Sequence, residues 1–213
     1  MNIDYTEVYG FEAAIRGMRN PLNSWDKSDS LYFDNLFENN SIKHLEGIQI
    51  GKEDMHLAQR LIKSGTEHSK FLRFITVWAD WELPLYVWKE ADTYKFIEKN
   101  SCSTMHKITS RELNKDDFEW DIMTEKRKSN LLDLNKMIVD YKAANKIQKT
   151  VIFRLIVQDL SSAYLQKRTI MTNYAELRNI YKQRHNHKLE EWHKICNWIE
   201  SLPYATELIT YGL

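Results

Sequence analysis

The run Phe71-Leu72-Arg73-Phe74-Ile75-Thr76-Val77-Trp78-Ala79-Asp80 restricts the architecture more than any other segment. It is β-branched and aromatic with partial alternation, which suits a half-buried strand. Elsewhere apolar residues recur at three- and four-residue steps, the period of amphipathic helices. Glu7 to Met18 places Val8, Phe11, Ala14, Ile15 and Met18 in this way, ending near Gly17 to Pro21. Gly51 to Ser64 repeats the pattern with Met55, Leu57, Ala58, Leu61 and Ile62, and Gly65 supplies its stop. Asp116 to Tyr141 reads as one or two helices with Glu125-Lys126-Arg127-Lys128 on a wet face. Lys149 to Tyr164, about Asn173 to Gln183 and about Leu189 to Glu200 follow as helices, before Pro203 breaks the pattern. Leu85 to Glu90 suits strand or helix. The expectation is an α/β (α+β) fold, helix-rich, with one modest and predominantly antiparallel sheet flanked by helices.

At 213 residues, 43% of them hydrophobic and seven of them Trp, the chain has enough apolar material for one core, and a single domain is expected. Three Pro and six Gly leave little for long linkers. Thirty basic and thirty acidic residues cancel, so no net field favours duplex nucleic acid as a partner. Locally, Lys182, Arg184, His185, His187 and Lys188 crowd one stretch, which is either a solvated helix end or a receiver for a phosphate or a pyrimidine carbonyl. No apolar run approaches the roughly 18 residues of a membrane span. Met1 to Gly10 lacks the basic start and apolar stretch of a signal peptide, and two cysteines in dissimilar contexts do not suggest a disulfide framework. A cytoplasmic location follows as an expectation. Asn20 to Ser30, rich in capping and turn residues, predicts an ordered loop that leads to a helix near Asp29. That loop either covers a site or turns around a buried Trp25.

Generic motifs give little. No glycine-rich phosphate loop is present. His185, His187, His193 and Cys196 invite zinc, but His185 and His187 point to different sides of a helix, so no metal is expected. Cys102 and His106 stand four apart, the spacing of a thiolate and base on one helical turn, or of ordinary pocket lining. Glu90 with Asp92, or Glu190 with Glu191, are candidate carboxylates of a kind found in most sequences.

Two segments resemble the flavin-dependent thymidylate synthases. That family's signature is Arg-His-Arg-x-x-Ser-x-Asn-Glu-Gln-Ser-x-Arg-Tyr, preceded by a Pro and a short apolar helix. Here Pro84 to Asp92 leads into Thr93-Tyr94-Lys95-Phe96-Ile97-Glu98-Lys99-Asn100-Ser101-Cys102-Ser103-Thr104-Met105-His106. Asn100 and Ser103 coincide with the motif's Asn and second Ser, and Lys95 takes the place of its second Arg. Upstream, Glu67-His68 is similar to the family's Glu-His before its sheet. In the C-terminal region Asn173, Asn179 six residues on, Arg184 five further and Trp192 beyond reproduce the family's order and its first two steps. The resemblance covers roughly 67–192 as a thymidylate synthase-like core, with 1–66 as a helical N-terminal elaboration.

The resemblance implies FAD as cofactor, methylenetetrahydrofolate as carbon donor and a pyrimidine nucleotide such as deoxyuridylate as substrate. It implies that Arg184 acts catalytically and in substrate binding, gripping the pyrimidine ring and favouring its ionised form, as a permanently charged planar fork does. Lys95, Asn100, Asn173 and Asn179 would contact the cofactor, and Glu90, Ser101, Ser103 and Thr104 the substrate, the last three as an anion-binding turn. Members of the family are tetramers with sites shared between subunits, which implies a homo-oligomer. The motif also departs from the family: its leading Arg is Thr93, its His is Tyr94, its Glu is Ser101, and the Arg that grips the phosphate is Met105. A thioether cannot replace a charge-assisted contact to oxygen. Lys95, Lys107, Arg154, Arg168, Arg16 and Arg19 are the cations available to supply it, and a nucleotide-binding or nucleotide-sequestering protein without catalysis is the alternative.

Overall fold

A computed structural model describes residues 1–33, 42–45 and 47–213. In chain order it contains β1 (Asn2–Tyr9), α1 (Phe11–Arg19), β2 (Leu31–Phe33), β3 (Ile42–Leu45), β4 (Gly47–Gln49), α2 (Lys52–Lys63) and β5 (Thr76–Pro84). Then come α3 (Leu85–Ala91), β6 (Glu98–Ser101), α4 (Thr104–Lys107), α5 (Glu125–Ala143), α6 (Lys146–Asp159), β7 (Leu165–Asn173), α7 (Tyr174–Arg184) and α8 (Glu190–Glu200). Five strands form one sheet in the order β3-β1-β5-β7-β6, and β2 and β4 form an antiparallel pair. The β1–β3 pair is parallel, with a register shift between Thr6 and Glu7. The fold is thus mixed, helix with a largely antiparallel sheet. It divides into two compact units: one of Met1–Asn2, Glu82–Ala91 and Ser101–Arg168, the other of Ile3–Trp81, Asp92–Asn100 and Thr169–Leu213.

The larger unit is built on the first part of β5. Val77, Ala79 and Trp81 are buried at every second position, while Thr76, Trp78 and Asp80 face the other way, as a pleated strand requires. The same unit also buries Phe11, Ala14 and Ile15 of α1, Leu57, Ala58 and Ile62 of α2, and Leu177 and Ile180 of α7. Trp81 meets Trp198 edge to face at 5.4 Å, and Phe11 meets Tyr174 at 5.7 Å, the arrangement that ring quadrupoles favour. β1 and α1 are joined at Gly10, whose φ of 97° is open to glycine, and a Cβ there would lie 2.1 Å from the carbonyl oxygen of Phe74.

The smaller unit has its own core, in which Ile108, Leu113 and Phe118 pack against Leu134 and Ile138 of α5 and Ile156 of α6. Thr124 and Asn145 cap the two helices with side-chain oxygens, Asn145 in a reciprocal box with Gln148. Both helices also carry apolar residues on their outer faces: Leu132 and Val139 on α5, and Ile147 and Val151 on α6, are exposed.

Several expected elements shift. Val8, Phe11, Ala14, Ile15 and Met18 are all buried, but the helix expected from Glu7 starts only at Phe11, because the chain reverses at Gly10 and Val8 belongs to β1. No helix begins at Asp29, whose side chain instead accepts from the backbone N–H groups of Glu53 and Asp54 and so caps α2. Trp25 is half exposed, its indole N–H donating to Asn20 Oδ1, so the loop does not wrap a buried Trp25. Lys70–Arg73 is a 3-10 turn and the strand runs from Thr76 to Pro84. Of Asp116 to Tyr141, only residues from Glu125 onward are α-helical. The helix expected to reach Tyr164 ends at Asp159, short of β7. Cys102 lies before α4, so it does not share a helical turn with His106.

Candidate functional site

Helix α7 organises the site. Asn173, the last residue of β7, accepts from the Glu176 backbone N–H and starts the helix, while Tyr174, Leu177 and Ile180 point into the core. Arg184 ends it, where a cation suits the negative end of the helix dipole. Its guanidinium carbon lies 4.7 Å from the ring centre of Trp192 and 5.7 Å from that of Tyr94, and its Nε donates to the Tyr94 hydroxyl at 2.8 Å. Trp192 is fully buried and Tyr94 nearly so, and the two rings meet edge to face at 6.1 Å. Each cation–π contact contributes about 0.5–2 kcal/mol, which fixes the plane of the fork.

The same helix lines a cavity of about 440 Å³. Its floor is apolar, from Ile62 and Leu72, and Phe96 lies at its edge. Asn173, Glu176 and Asn179 supply polar groups, and Arg73 and Lys182 supply positive charge. Burial pushes the Glu176 carboxyl above the ordinary range, opposed by hydrogen bonds from the Asn179 side chain and the Phe96 backbone. Arg178, also in the wall, donates to the carbonyls of Ile209 and Tyr211 and so ties the C-terminal turn to α7. An apolar floor with a few polar groups and cations at the rim is the chemistry of a pocket for a ring system bearing anionic groups.

The residues expected from sequence fall in both units. Lys95, Asn100, Asn173, Asn179 and Arg184 belong to the larger. Of these, Asn173 and Asn179 share the cavity, and Arg184 stands on the same helix beside Tyr94. Lys95 and Asn100 are exposed. Glu90, Ser101, Ser103 and Thr104 belong to the smaller unit. There Ser103 caps α4, accepting from the His106 N–H, and its Oγ lies 2.7 Å from His106 Nδ1. Thr104 Oγ1 accepts from Gln166, and Arg168 lies 4.1 Å from the ring centre of Trp88. Met105 and Lys107 are exposed, as is Arg16, which pairs with Glu12. Arg154 is exposed on α6. His185 stacks on Tyr181, His187 accepts from the Leu189 N–H, and His193 pairs with Glu190. Among the described residues no three metal-ligating side chains gather.

Sequence reasoning missed Glu176, Phe96 and Arg73 as cavity residues, whereas Lys182 belonged to the basic stretch read as either a solvated helix end or a receiver for a phosphate. Glu176 carried a signal, since Asn followed three residues later by Glu is a helix-start pattern. For Tyr94 the sequence displayed only a departure from the motif's His, not the partnership with Arg184 ninety residues on.

No protein-family model matches the sequence, and no curated protein does. Solved structures do. The flavin-dependent thymidylate synthase ThyX from Helicobacter pylori, complexed with FAD and dUMP, superposes with a TM-score of 0.70 at 16% identity, over 98% of each chain. A second structure of the Helicobacter pylori enzyme with the same two ligands gives 0.70 at 17% identity, over 98% of this chain and 97% of that one. The fold of this chain is that of the flavin-dependent thymidylate synthases, and the likeness extends over the N-terminal third, where the sequence carries no motif of the family.

Proposed function

We propose that this chain is a cytoplasmic flavoprotein acting on a pyrimidine nucleotide, by one-carbon transfer of the thymidylate synthase kind with methylenetetrahydrofolate as donor. The observation that carries the reading is Arg184, held by two aromatic faces and the Tyr94 hydroxyl at the end of the helix that lines the cavity. A guanidinium so fixed presents charge and donors to a pyrimidine carbonyl and ring nitrogen, and stabilises negative charge developing on the base. The cavity fits a flavin ring: Ile62 and Leu72 offer an apolar bed, Asn173 and Asn179 offer amide groups to its polar edge, and Arg73 and Lys182 are cations for its phosphates. Bound there, a flavin would supply hydride transfer. Lys95 and Asn100 are proposed as further cofactor contacts, and Glu90, Ser101, Ser103 and Thr104 as substrate contacts. Known complexes of this fold carry FAD and dUMP, which supports the reading. The protein is further proposed to act as a homotetramer.

A second reading has its own observation. Met105, exposed where the motif has a phosphate-gripping Arg, offers nothing that bonds oxygen, which favours a nucleotide-binding or nucleotide-sequestering protein without catalysis.

Titration calorimetry with dUMP tests the shared part. Arg184→Ala is expected to weaken binding at least about tenfold with the fold intact, and Arg184→Lys to rescue poorly, because losing a charged hydrogen-bond partner costs about 2–4 kcal/mol. Equal affinities would remove Arg184 from the site. A flavin absorbance spectrum of the purified protein separates the two readings, and light scattering that finds a monomer would refute the tetramer.

A further inference from the structure

The polar groups that α7 contributes to its cavity come in a fixed order. Asn173, Glu176 and Asn179 line it at three-residue steps along the chain. Both amides are oriented by bonds that they already make. Asn173 Oδ1 accepts from the Glu176 backbone N–H at 3.0 Å, and Asn179 Oδ1 accepts from Gln183 Nε2 at 2.7 Å. With its oxygen engaged along the helix, each amide has its NH2 group to offer the cavity, and that group only donates.

Between the two amides stands Glu176, which is 7% exposed. Its carboxylate accepts from the Asn179 side chain and from the Phe96 backbone, and both of those residues line the cavity too, so the group belongs to the cavity wall. Burial raises its pKa, and the two bonds oppose burial by favouring the ionised form. An ionised carboxylate accepts about four hydrogen bonds and donates none. The two that the protein supplies leave acceptor capacity for an N–H of a ligand.

We propose that Glu176 is a specificity-determining residue of this cavity, and that with Asn173 and Asn179 it selects a cyclic imide, a ring edge of carbonyl, N–H and carbonyl. Donor, acceptor, donor in the wall complements acceptor, donor, acceptor in the ligand. Flavin, uracil and pteridinedione rings carry that edge. Cytosine and adenine have a bare ring nitrogen in place of the N–H, which sets a lone pair against the carboxylate, and guanine sets its amino group against an amide donor. The apolar floor of Ile62 and Leu72 favours the larger rings. For the flavin proposed above, the group held by Glu176 is the imide N–H of the ring, and the assignment rests on that reading of the cavity as a ring pocket.

Binding of lumiflavin and of 3-methyllumiflavin to the full chain, followed by flavin fluorescence, tests the role. Methylation removes the imide N–H and should weaken binding at least about tenfold, as loss of a hydrogen bond to a charged acceptor does. In Glu176→Leu the methyl group should cost less than about twofold, because the bond is already gone. Leu has similar bulk, so a purely steric penalty would persist there. Glu176→Gln keeps a neutral acceptor oxygen and should show a smaller preference than the unaltered protein, which is readable even where the Leu variant fails to fold. Lumazine and 3-methyllumazine, run in parallel, separate the imide from the flavin. If lumazine binds with the same dependence on Glu176 and lumiflavin does not bind, the imide role stands and the flavin reading falls. If lumiflavin binds and methylation costs nothing, Glu176 loses its role and the flavin reading stands. No binding of either ring, or a methyl penalty undiminished in the variants, would overturn the proposal.

Discussion

Replacing Asp54 by Asn should be among the most damaging single changes available to this protein. The carboxylate is completely buried and accepts five hydrogen bonds, one on Oδ1 and four on Oδ2. An amide is nearly the same size but has one acceptor atom. With its oxygen at the Oδ2 position, the NH2 group faces the Arg19 Nε, donor against donor. With its oxygen toward Arg19, the NH2 confronts two backbone N–H groups, which cannot turn to accept. Either way a buried guanidinium loses its counter-charge, for which about 3–5 kcal/mol is expected. In a chain of this size that corresponds to a fall in Tm of about 6–20 °C, at about 2–4 °C per kcal/mol. Burial by itself would raise the Asp54 pKa, but the hydrogen bonds from Ser30, Ser28 and Arg19 and the Arg19 charge outweigh it and hold the group below its ordinary 3.8. The stabilisation is therefore complete above that value and is lost as pH falls through the lower folded value. Calorimetric melts of both proteins from neutral to acid pH should show a gap that is constant near neutrality and closes below about pH 4. An Arg19→Met change should cost much less on top of Asp54→Asn than alone, because the two groups are coupled. A Tm loss below about 2 °C, or strict additivity of the two changes, would refute the reasoning.

Gly10→Ala is expected to cost at least about 3 kcal/mol in a urea melt, since the new methyl meets backbone at 2.1 Å and the left-handed φ adds its own strain; a near-neutral result would mean that the β1–α1 junction relaxes freely. The Tyr181 hydroxyl, pushed up to about 12 by its hydrogen bond to Glu200, by burial and by the Glu200 charge, should return toward 10.0 in Glu200→Gln. Isotope-labelled tyrosine followed by NMR reads this, and a titration still near 12 would dismiss Glu200 as the cause.

What sequence could convey here was local. Helices α2, α7 and α8 each lie within a residue of their expected bounds, because each carries its own apolar face and its own start and stop signals. The burial of Val8 and Phe11 was legible, but the chain reversal between them was not, since a helical period also fits apolar residues on both sides of a turn. Asp29 was the right residue type for a helix cap and was assigned to the wrong helix, because it caps through space, its first partner lying 24 residues away. The spacing of Asn173, Asn179 and Arg184 could be read because all three lie on or next to one helix. The Tyr94 clamp on Arg184 and the five donors around Asp54 join segments far apart in sequence, which no single window displays.

The two thiols of this chain differ in a way that makes it convenient to study. Cys196 lies in the buried face of α8, its thiol pushed up to about 11 by burial and the Glu200 charge, whereas Cys102 is exposed between β6 and α4. Because the thiolate is the reactive form, a maleimide should attach once to the folded protein and twice after denaturation, as mass spectrometry would count. A dye or spin label can then be placed next to Ser101, Ser103 and Thr104 without engineering a cysteine, and the second adduct becomes a clock for the opening of α8.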